Sequence, residues 1–265
     1  MQTLSAGSLQ GLLENLYPGE SSADSEQLSS ELLQILRGAS ANDDPPGATD
    51  LWSGADAVLI TYADTVVEQG VPALRSLRQL LNNRLRPFAE VVHVLPFLTS
   101  TSDGGFAVAS HDRIEPRFGD WRDLADLVLN HISASHPWVR QFLRDEEPGR
   151  SCVLEAAPDP SWDQVVRPRS SSLFTQLSGS DGPRQVWTTF GPDQVDVDWR
   201  SPEVLLGFTR LLERMLRHGV RWVRLDAVGF IWKTPGTGCI HLPEAHRIVE
   251  VLRQLMERSC SGGVV

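Results

Sequence analysis

One short segment, residues 220–230 with the sequence VRWVRLDAVGF, puts a cation and an anion on a strand that should be buried. Apolar and β-branched residues bounded by glycines are typical of a strand in a parallel sheet. Because side chains alternate along a strand, Arg224 and Asp226 point to the same side. They form either a buried structural ion pair or an ionised carboxylate aimed into a cleft. Such a carboxylate suits nucleophilic attack or electrostatic stabilisation.

A polar loop at residues 99–121 supplies a second set of candidate groups. It is too long and too polar for a simple connector. Asp103, followed by two glycines and Phe106, would set a carboxylate and an aromatic ring at the mouth of a site. Sugar rings are bound by such pairs, through hydrogen bonds to the hydroxyls and stacking on the apolar face. An ordinary Asp-Gly turn is the alternative.

A third predicted strand, residues 126–131 (DLVLNH), ends in a polar pair. His131 could hydrogen-bond a substrate hydroxyl at the carboxyl end of the strand, where the active sites of α/β barrels lie. A lone histidine at such a position is more often structural. Its occurrence together with the Asp226 strand and the Asp103 loop favours the binding role.

Several strings in this sequence resemble the alpha-amylase family, glycoside hydrolase family 13. The similarity is greatest to its sucrose phosphorylase and glucosylglycerate phosphorylase-like subfamily. It extends over residues 55–265 and corresponds to the N-terminal part of the family's fold. The strings that carry it are VRLDAVGF, DLVLNH, WKTPGTGCIHLPEAH (232–246), RPRSSSLFTQL (167–177) and VWTTFGPDQVDVDW (186–199).

The resemblance implies roles for individual residues. Asp226 would be the nucleophile, Arg224 would orient it, and His131 would contact the sugar. Gln194 would lie near the leaving group, and Arg169 would bind phosphate. Residues 167 and 169 form the only close basic pair in this part of the sequence, and a guanidinium suits phosphate oxygens; solvated surface arginines are the alternative.

The activity implied is retaining α-glucosyl transfer, above all phosphorolysis of sucrose or a related α-glucoside to glucose 1-phosphate through an aspartyl glycosyl-enzyme. The partners would be a small-molecule α-glucoside and inorganic phosphate, the latter as co-substrate, with no cofactor. In many amylases the asparagine before the histidine binds calcium, whereas the resembled subfamily does without this metal, so we expect none. The acceptor (fructose, glycerate, glycerol or a phosphorylated sugar) stays open.

Retaining glycosyl transfer needs two carboxyl groups, and only one is recognisable. By resemblance the general acid is a glutamate at the end of the fifth strand, beyond Val265. We therefore expect the isolated chain to be inactive and prone to self-associate, because an open barrel leaves strand edges unpaired. An α-glucoside hydrolase and a non-catalytic truncated remnant are the alternatives. A metal-dependent hydrolase is disfavoured, since the histidines show no ligand spacing.

Composition narrows the class of protein. A formal charge of −10 over 265 residues argues against nucleic-acid and anionic-membrane surfaces. Three cysteines without metal or pairing patterns favour a reducing compartment. No apolar run approaches the ~18 residues of a spanning helix. Together these features predict a cytoplasmic protein; its oligomeric state is not readable.

The predicted fold is α/β, the N-terminal portion of a (β/α)8 TIM barrel with four to five strands and a small irregular insertion after strand 3. Only residues 122–125 separate a GDW turn from the third strand, so one crossover helix should be missing. We expect strands at 56–61, 91–95, 126–131 and 221–226, with another beginning at 262. We expect helices at 72–85, 137–144, 202–218 and 243–258, after two near the N-terminus. The predicted regions are a helical appendage (1–50), a first barrel part (51–145), a domain B-like insertion (146–200) and a barrel continuation (201–265).

Overall fold

The computed structural model describes residues 6–37, 58–85, 91–119, 127–218, 220, 222–259 and 263–264. None of the helices in these ranges combines the length and the apolar character needed to cross a membrane. Most of the buried apolar side chains belong to one continuous core.

The two predicted N-terminal helices are present as α1 (Ala6–Leu16) and α2 (Ser22–Arg37). Their leucines recur at helical spacing and most of them are buried, because α1 packs on α7 (Pro243–Ser259) and α2 packs on both α7 and α6 (Pro202–Arg217). The predictions for α6 and α7 were correct to within one residue. The leucines of α1 and α2 join the main core rather than forming a core of their own.

The first βαβ unit is formed as the spacing predicts. β1 (Val58–Tyr62) pairs in parallel with β2 (Val91–Leu95), with Ile60 opposite His93. The connecting helix α3 (Ala73–Leu80) is shorter than predicted, since its last turn, Leu81–Leu85, is π-helical.

The long polar loop after β2 is partly a hairpin, which the sequence did not predict. β3 (Leu98–Ser100) pairs antiparallel with β4 (Val108–Ile114), with register shifts along the ladder. Polar residues interrupt both faces of β4, so the alternation of apolar and polar residues that indicates a strand is incomplete. The short connection at residues 122–125 lies outside the described residues.

The predicted third strand is broken in two. β5 (Leu127–Val128) pairs in parallel with the strand that carries Asp226, whereas β6 (His131–Ser133) turns away and pairs antiparallel with β9 (Gln194–Asp196). His131 therefore does not end a parallel strand, as predicted, but begins an antiparallel one at the carboxyl end of β5.

The predicted nucleophile strand is also divided, by Arg224. β10 (Trp222–Val223) pairs in parallel with β12 (Gly263–Val264), and β11 (Leu225–Asp226) pairs in parallel with β5. The strand thus has a parallel neighbour on each side, as a strand inside a barrel must. In the part of the chain that the structure describes, β1–β2, β5–β11 and β10–β12 are separate parallel pairs, which is the strand direction expected in part of a (β/α)8 barrel.

The stretch predicted as an irregular insertion contains regular structure. After the short helices α4 (Pro137–Phe142) and α5 (Gly149–Cys152), β7 (Phe174–Gly179) and β8 (Gly182–Trp187) form an antiparallel hairpin. Trp187 anchors a small second core, which also includes Leu154, Leu173 and Cys239. Some of the glycines and polar residues that suggested irregular chain, at residues 179–182, occupy the turn of this hairpin.

Candidate active site

Arg224 and Asp226, on the strand predicted to carry the nucleophile, form a partly exposed ion pair. Arg224 Nη2 donates to Asp226 Oδ1 over 2.5 Å. The side chain of Asp226 is 23% exposed and that of Arg224 is 42% exposed. The pair is therefore accessible from outside, which favours a site over a purely structural role. Directly after Asp226 the backbone turns at Ala227, which is left-handed (φ 54°), into a 3₁₀ turn at Val228–Phe230.

A hydrogen-bonded chain of three side chains lies close to this pair. Gln194 Nε2 donates to Asp103 Oδ2 over 3.0 Å and to His131 Nε2 over 2.9 Å. Because an amide nitrogen can only donate, the short contact from Gln194 makes His131 Nε2 the acceptor and assigns the proton to Nδ1; the 3.4 Å contact of Asn130 Nδ2 with Nδ1 is then not a hydrogen bond. A hydrogen bond with the backbone of Phe106 accompanies this arrangement.

Electrostatics connect the His131 chain with the nucleophile strand. Burial lowers the pKa of His131, because the charged imidazolium would lose its hydration. The carboxylates of Asp196, Asp226 and Asp103 act in the opposite direction, which requires all three to lie within electrostatic reach of the ring. Gln194, Asp103 and His131 are thus joined by hydrogen bonds, and the carboxylate of Asp226 acts electrostatically on the same histidine.

The loop that carries Asp103 is held in a strained turn. Asp103 has a positive φ of 55°, and Gly105 has a φ of 115°. A Cβ atom at Gly105 would lie 2.4 Å from Pro96 Cγ, so only glycine fits there. On the far side of the loop, Thr101 and Ser102 donate their hydroxyl hydrogens to Asp193. These contacts fix the loop to the strand that carries Gln194.

The two arginines at residues 167 and 169 differ in their surroundings. Arg167 donates to the carbonyl oxygen of Ser171, within its own loop. Arg169 Nη2 lies 4.0 Å from Asp103 Oδ1, and its side chain is 59% exposed. Arg169 is therefore the member of the pair whose guanidinium reaches the site.

The aromatic ring beside His131 is Phe190, which the sequence did not single out. The two ring centroids are 5.0 Å apart, and Phe230 packs edge-on against Phe190 at 5.3 Å. Phe106, predicted to stack on a sugar, is half-buried and packs partly against the main core. Phe190 lies within the string VWTTFGPDQ, so the resemblance of that string was the sequence signal that could have identified it.

Beneath the site lies a buried polar cluster that the sequence also left unrecognised. Lys233 and Asp196 form an ion pair with an Nζ–Oδ2 distance of 2.7 Å, and both are almost fully buried. Asn130 contributes to the same cluster. His93 on β2 is a further neighbour of the ion pair above: burial lowers its pKa, Arg224 acts in the same direction and Asp226 opposes it.

Within the described ranges, no group of three or more histidine, cysteine, aspartate or glutamate side chains is arranged to hold a metal ion. At Asn130, where the resemblance places the asparagine that binds calcium in many amylases, the side-chain oxygen accepts a hydrogen bond from Lys233. Cys152 and Cys239 are free and buried.

Known proteins match both the sequence and the fold, although no protein-family model matches the chain. The glucosylglycerate phosphorylase of Allomeiothermus silvanus is 44% identical over 216 residues, which are 78% of this chain and 39% of that protein. That of Escherichia coli is 36% identical over 225 residues, 81% of this chain and 40% of the relative. The crystal structure of sucrose 6F-phosphate phosphorylase from Thermoanaerobacter thermosaccharolyticum matches 78% of this chain and 47% of that one, with 26% identity and a TM-score of 0.71.

The chain thus spans about two fifths of the length of these curated relatives. The parallel pairs of the partial barrel, the strings that resemble the phosphorylase subfamily and the similarity to named phosphorylases all agree. The chain belongs to glycoside hydrolase family 13, and it corresponds to the N-terminal part of that family's phosphorylase-like members.

Proposed function

We propose that the protein, completed by the rest of the barrel, is a retaining α-glucoside phosphorylase that uses Asp226 as its nucleophile. The observation that supports this most directly is the partly exposed Arg224–Asp226 ion pair, whose carboxylate acts electrostatically on His131. The same pair in an isolated, fully buried setting would have favoured a structural role.

In the first step, a carboxylate oxygen of Asp226 attacks the anomeric carbon of the glucosyl unit as the glycosidic bond breaks. The leaving oxygen takes a proton from a general acid, which by family resemblance is a glutamate beyond Val265. Arg224 holds the carboxylate through a 2.5 Å hydrogen bond, which fixes the attacking oxygen. His131, Asp103 and Gln194 bind sugar hydroxyls, and Phe106 borders the same pocket.

In the second step, a phosphate oxygen attacks the anomeric carbon, releases Asp226 and forms glucose 1-phosphate. Arg169 binds the phosphate, because its exposed guanidinium lies at the edge of the site next to Asp103. Phosphate is thus the co-substrate. Water would give glucose instead, so exclusion of water from this step separates a phosphorylase from a hydrolase.

Glucosylglycerate is the first substrate to test, since the two relatives with the higher identities bear its name. Sucrose is the second, because it is an α-glucoside and the sequence strings resemble the sucrose phosphorylases. Glycerate brings a carboxylate to the acceptor side, and the exposed guanidinium of Arg169 suits an anionic acceptor as well as phosphate.

The experiment is a chimera in which residues 1–265 replace the corresponding part of the Allomeiothermus silvanus protein, so that the barrel is complete. The chimera is incubated with each glucoside and inorganic phosphate, and glucose 1-phosphate and free glucose are quantified. Formation of glucose 1-phosphate supports the proposal. Release of glucose alone would identify a hydrolase, and no turnover with a folded chimera would contradict the enzymatic function.

Asp226→Asn in the chimera is the matched control. It keeps the shape of the side chain and its contact with Arg224 but removes the nucleophilic charge, so glycosyl-enzyme formation should be lost while sugar binding is kept. Trapping with a fluorinated glucosyl fluoride, followed by mass spectrometry of the peptide that contains Asp226, tests the assignment. A label on any other carboxylate would show that the nucleophile is wrong.

A further inference from the structure

Lys233 is exceptional in both the sequence and the structure. It is the only lysine among the 24 basic residues of the chain, since all the others are arginines. It is also buried, with 5% of its surface exposed, whereas most of the arginine side chains in described ion pairs are more than a third exposed. The one lysine of this arginine-rich chain thus lies at a buried position, and the acceptors around it decide whether a guanidinium could take the place of its ammonium group.

The ammonium group of Lys233 meets three acceptors. Nζ donates to Asp196 Oδ2 over 2.7 Å, to Asn130 Oδ1 over 3.2 Å, and to the carbonyl oxygen of Phe230. An ammonium has three donor hydrogens, so its hydrogen-bonding capacity is used completely. A planar guanidinium carries five donors in a fixed fork and could not reproduce this arrangement.

The carboxylate of Asp196 also has hydrogen-bond partners for both of its oxygens. Its Oδ1 accepts from the backbone N–H of Thr189 over 3.0 Å, and its Oδ2 accepts from Thr189 Oγ1 over 2.6 Å and Asn130 Nδ2 over 3.1 Å. A buried ion pair is tolerated only when its remaining hydrogen-bonding capacity is met, and this one meets the condition.

The cluster connects three separate parts of the chain at the points where they carry site residues. Asn130 immediately precedes His131. Asp196 lies opposite His131 in the β6–β9 ladder and shares β9 with Gln194. Phe230, whose carbonyl binds Lys233, ends the 3₁₀ turn that begins directly after Asp226 and Ala227. The Phe230 ring also packs on Phe190, the neighbour of His131.

We infer that Lys233 is a positioning residue for glycosyl transfer: its ammonium group fixes the nucleophile turn relative to the strands that carry His131 and Gln194. This inference rests on the proposed function, because it assigns Lys233 a part in the same reaction. Lys233 acts through Phe230, Asn130 and Asp196, and has no contact with the proposed reacting atoms.

The first test uses the 265-residue chain labelled with [ζ-¹⁵N]lysine, which gives a single side-chain signal because the chain has one lysine. We expect a slowly exchanging ammonium with through-space contacts to Trp187, whose ring centroid is 5.6 Å from Nζ. A rapidly exchanging signal without these contacts would overturn the inference.

The second test separates positioning from stability. Lys233→Met leaves the charge of Asp196 buried without its cation, so the urea midpoint of unfolding should fall. Adding Asp196→Asn removes that charge and should recover most of the decrease in the urea midpoint. The loss of positioning should remain in the double variant. Two-bond ¹H–¹⁵N correlations should therefore show a His131 tautomer that differs from the pure Nδ1–H form of the wild-type chain. A double variant with both wild-type stability and the wild-type tautomer would contradict a positioning role.

The third test uses the chimera. Lys233→Arg keeps the positive charge but not the geometry, and it should lower kcat by about 10- to 100-fold with little change in the KM for phosphate. Arg210→Lys, an exchange at an exposed ion pair with Glu31, is the matched control and should leave kcat unchanged. Wild-type kcat in Lys233→Arg would overturn the inference. If the wild-type chimera itself has no activity, the proposed function fails, and the two measurements on the 265-residue chain still decide the position of Lys233.

Discussion

The backbone immediately after the proposed nucleophile is strained. Ala227 adopts a left-handed conformation (φ 54°), which costs a residue with a Cβ atom roughly 1–2 kcal/mol. Asp103, on the opposite side of the site, is in the same region of backbone space, at φ 55°. Strained residues of this kind concentrate at functional sites, where the surrounding contacts hold them in place.

Replacing Ala227 with glycine should therefore stabilise the chain, by up to about 1 kcal/mol, because glycine adopts this conformation without a steric penalty. Chemical denaturation measures the change. Ala245→Gly is the control: Ala245 lies inside α7, where glycine should cost about 1 kcal/mol. A loss of stability of the same size at both positions would show that the strain at Ala227 is absent in solution.

Arg169 and Arg167 form a natural comparison at the residue scale. Removing the guanidinium of Arg169, which reaches Asp103, should raise the KM for phosphate in the chimera by about tenfold or more, with a smaller effect on the KM for the glucoside. Arg167→Ala removes a guanidinium that is bound to the carbonyl of Ser171 and should change neither value much. Equal effects of Arg169→Ala on the two KM values would leave phosphate binding without support.

At the scale of elements, the sequence predicted most helices and the parallel strands well. Periodic leucines predicted α6 and α7, and the apolar run predicted β2. The prediction from sequence failed where contacts between distant strands override the local pattern. Such contacts set the change of pairing partner at Arg224 and the antiparallel pairing of β6 with β9. The Lys233–Asp196 cluster was missed for the same reason, because its members are far apart in sequence.

A buried pair of histidines joins β4, α4 and α6 and should make stability depend on pH. His136 Nδ1 accepts from the backbone N–H of Trp138, so its Nε2 donates to His111 Nδ1 over 3.4 Å, and the His111 ring packs edge-on against Phe208. Burial, helped by nearby positive groups, lowers the pKa of His111 to about 3 and that of His136 to about 4.

The unfolded chain therefore binds more protons than the folded chain between pH 4 and 6.5. The contribution of the two neutral histidines to the free energy of unfolding is fully present above pH 6.5. It is lost as the pH falls toward 4, by about 1.4 kcal/mol per pH unit for each histidine. Replacing His111 with phenylalanine should remove about half of this slope in urea titrations between pH 4.5 and 7. His218→Gln, at an exposed position, is the control, and an unchanged slope in His111→Phe would contradict the assignment.

The N-terminal helices behave in the structure as part of the main core. Leu13 of α1 is completely buried, in the same cluster as residues of α6 and α7. Leu13→Ala should therefore lower the stability of the whole chain by about 2–5 kcal/mol, whereas Leu12→Ala, at a half-buried position, should cost less. A single cooperative transition that shifts in Leu13→Ala would support this view. Separate melting of the helices, with the main transition unchanged, would support an independent appendage.

At the scale of the whole molecule, one face of β1 is exposed and apolar. Val58, Ile60 and Tyr62 alternate along the strand and so share a face, with exposures of 51%, 62% and 54%. Among the described strands, β1 pairs with β2 on one edge only. An apolar strand face with an unpaired edge is a template for association.

We predict that the 265-residue chain self-associates through this face, and that the double substitution Val58→Thr/Ile60→Thr reduces association. Threonine keeps the β-branched shape that the strand favours, so stability should change little, because both side chains are already exposed. Light scattering coupled to size-exclusion chromatography measures the concentration dependence of the mass. Val67→Thr, at a 73% exposed position outside the strand, is the matched control and should leave the mass unchanged. If the strand variant associates as strongly as the control, the exposed face of β1 is not the surface responsible.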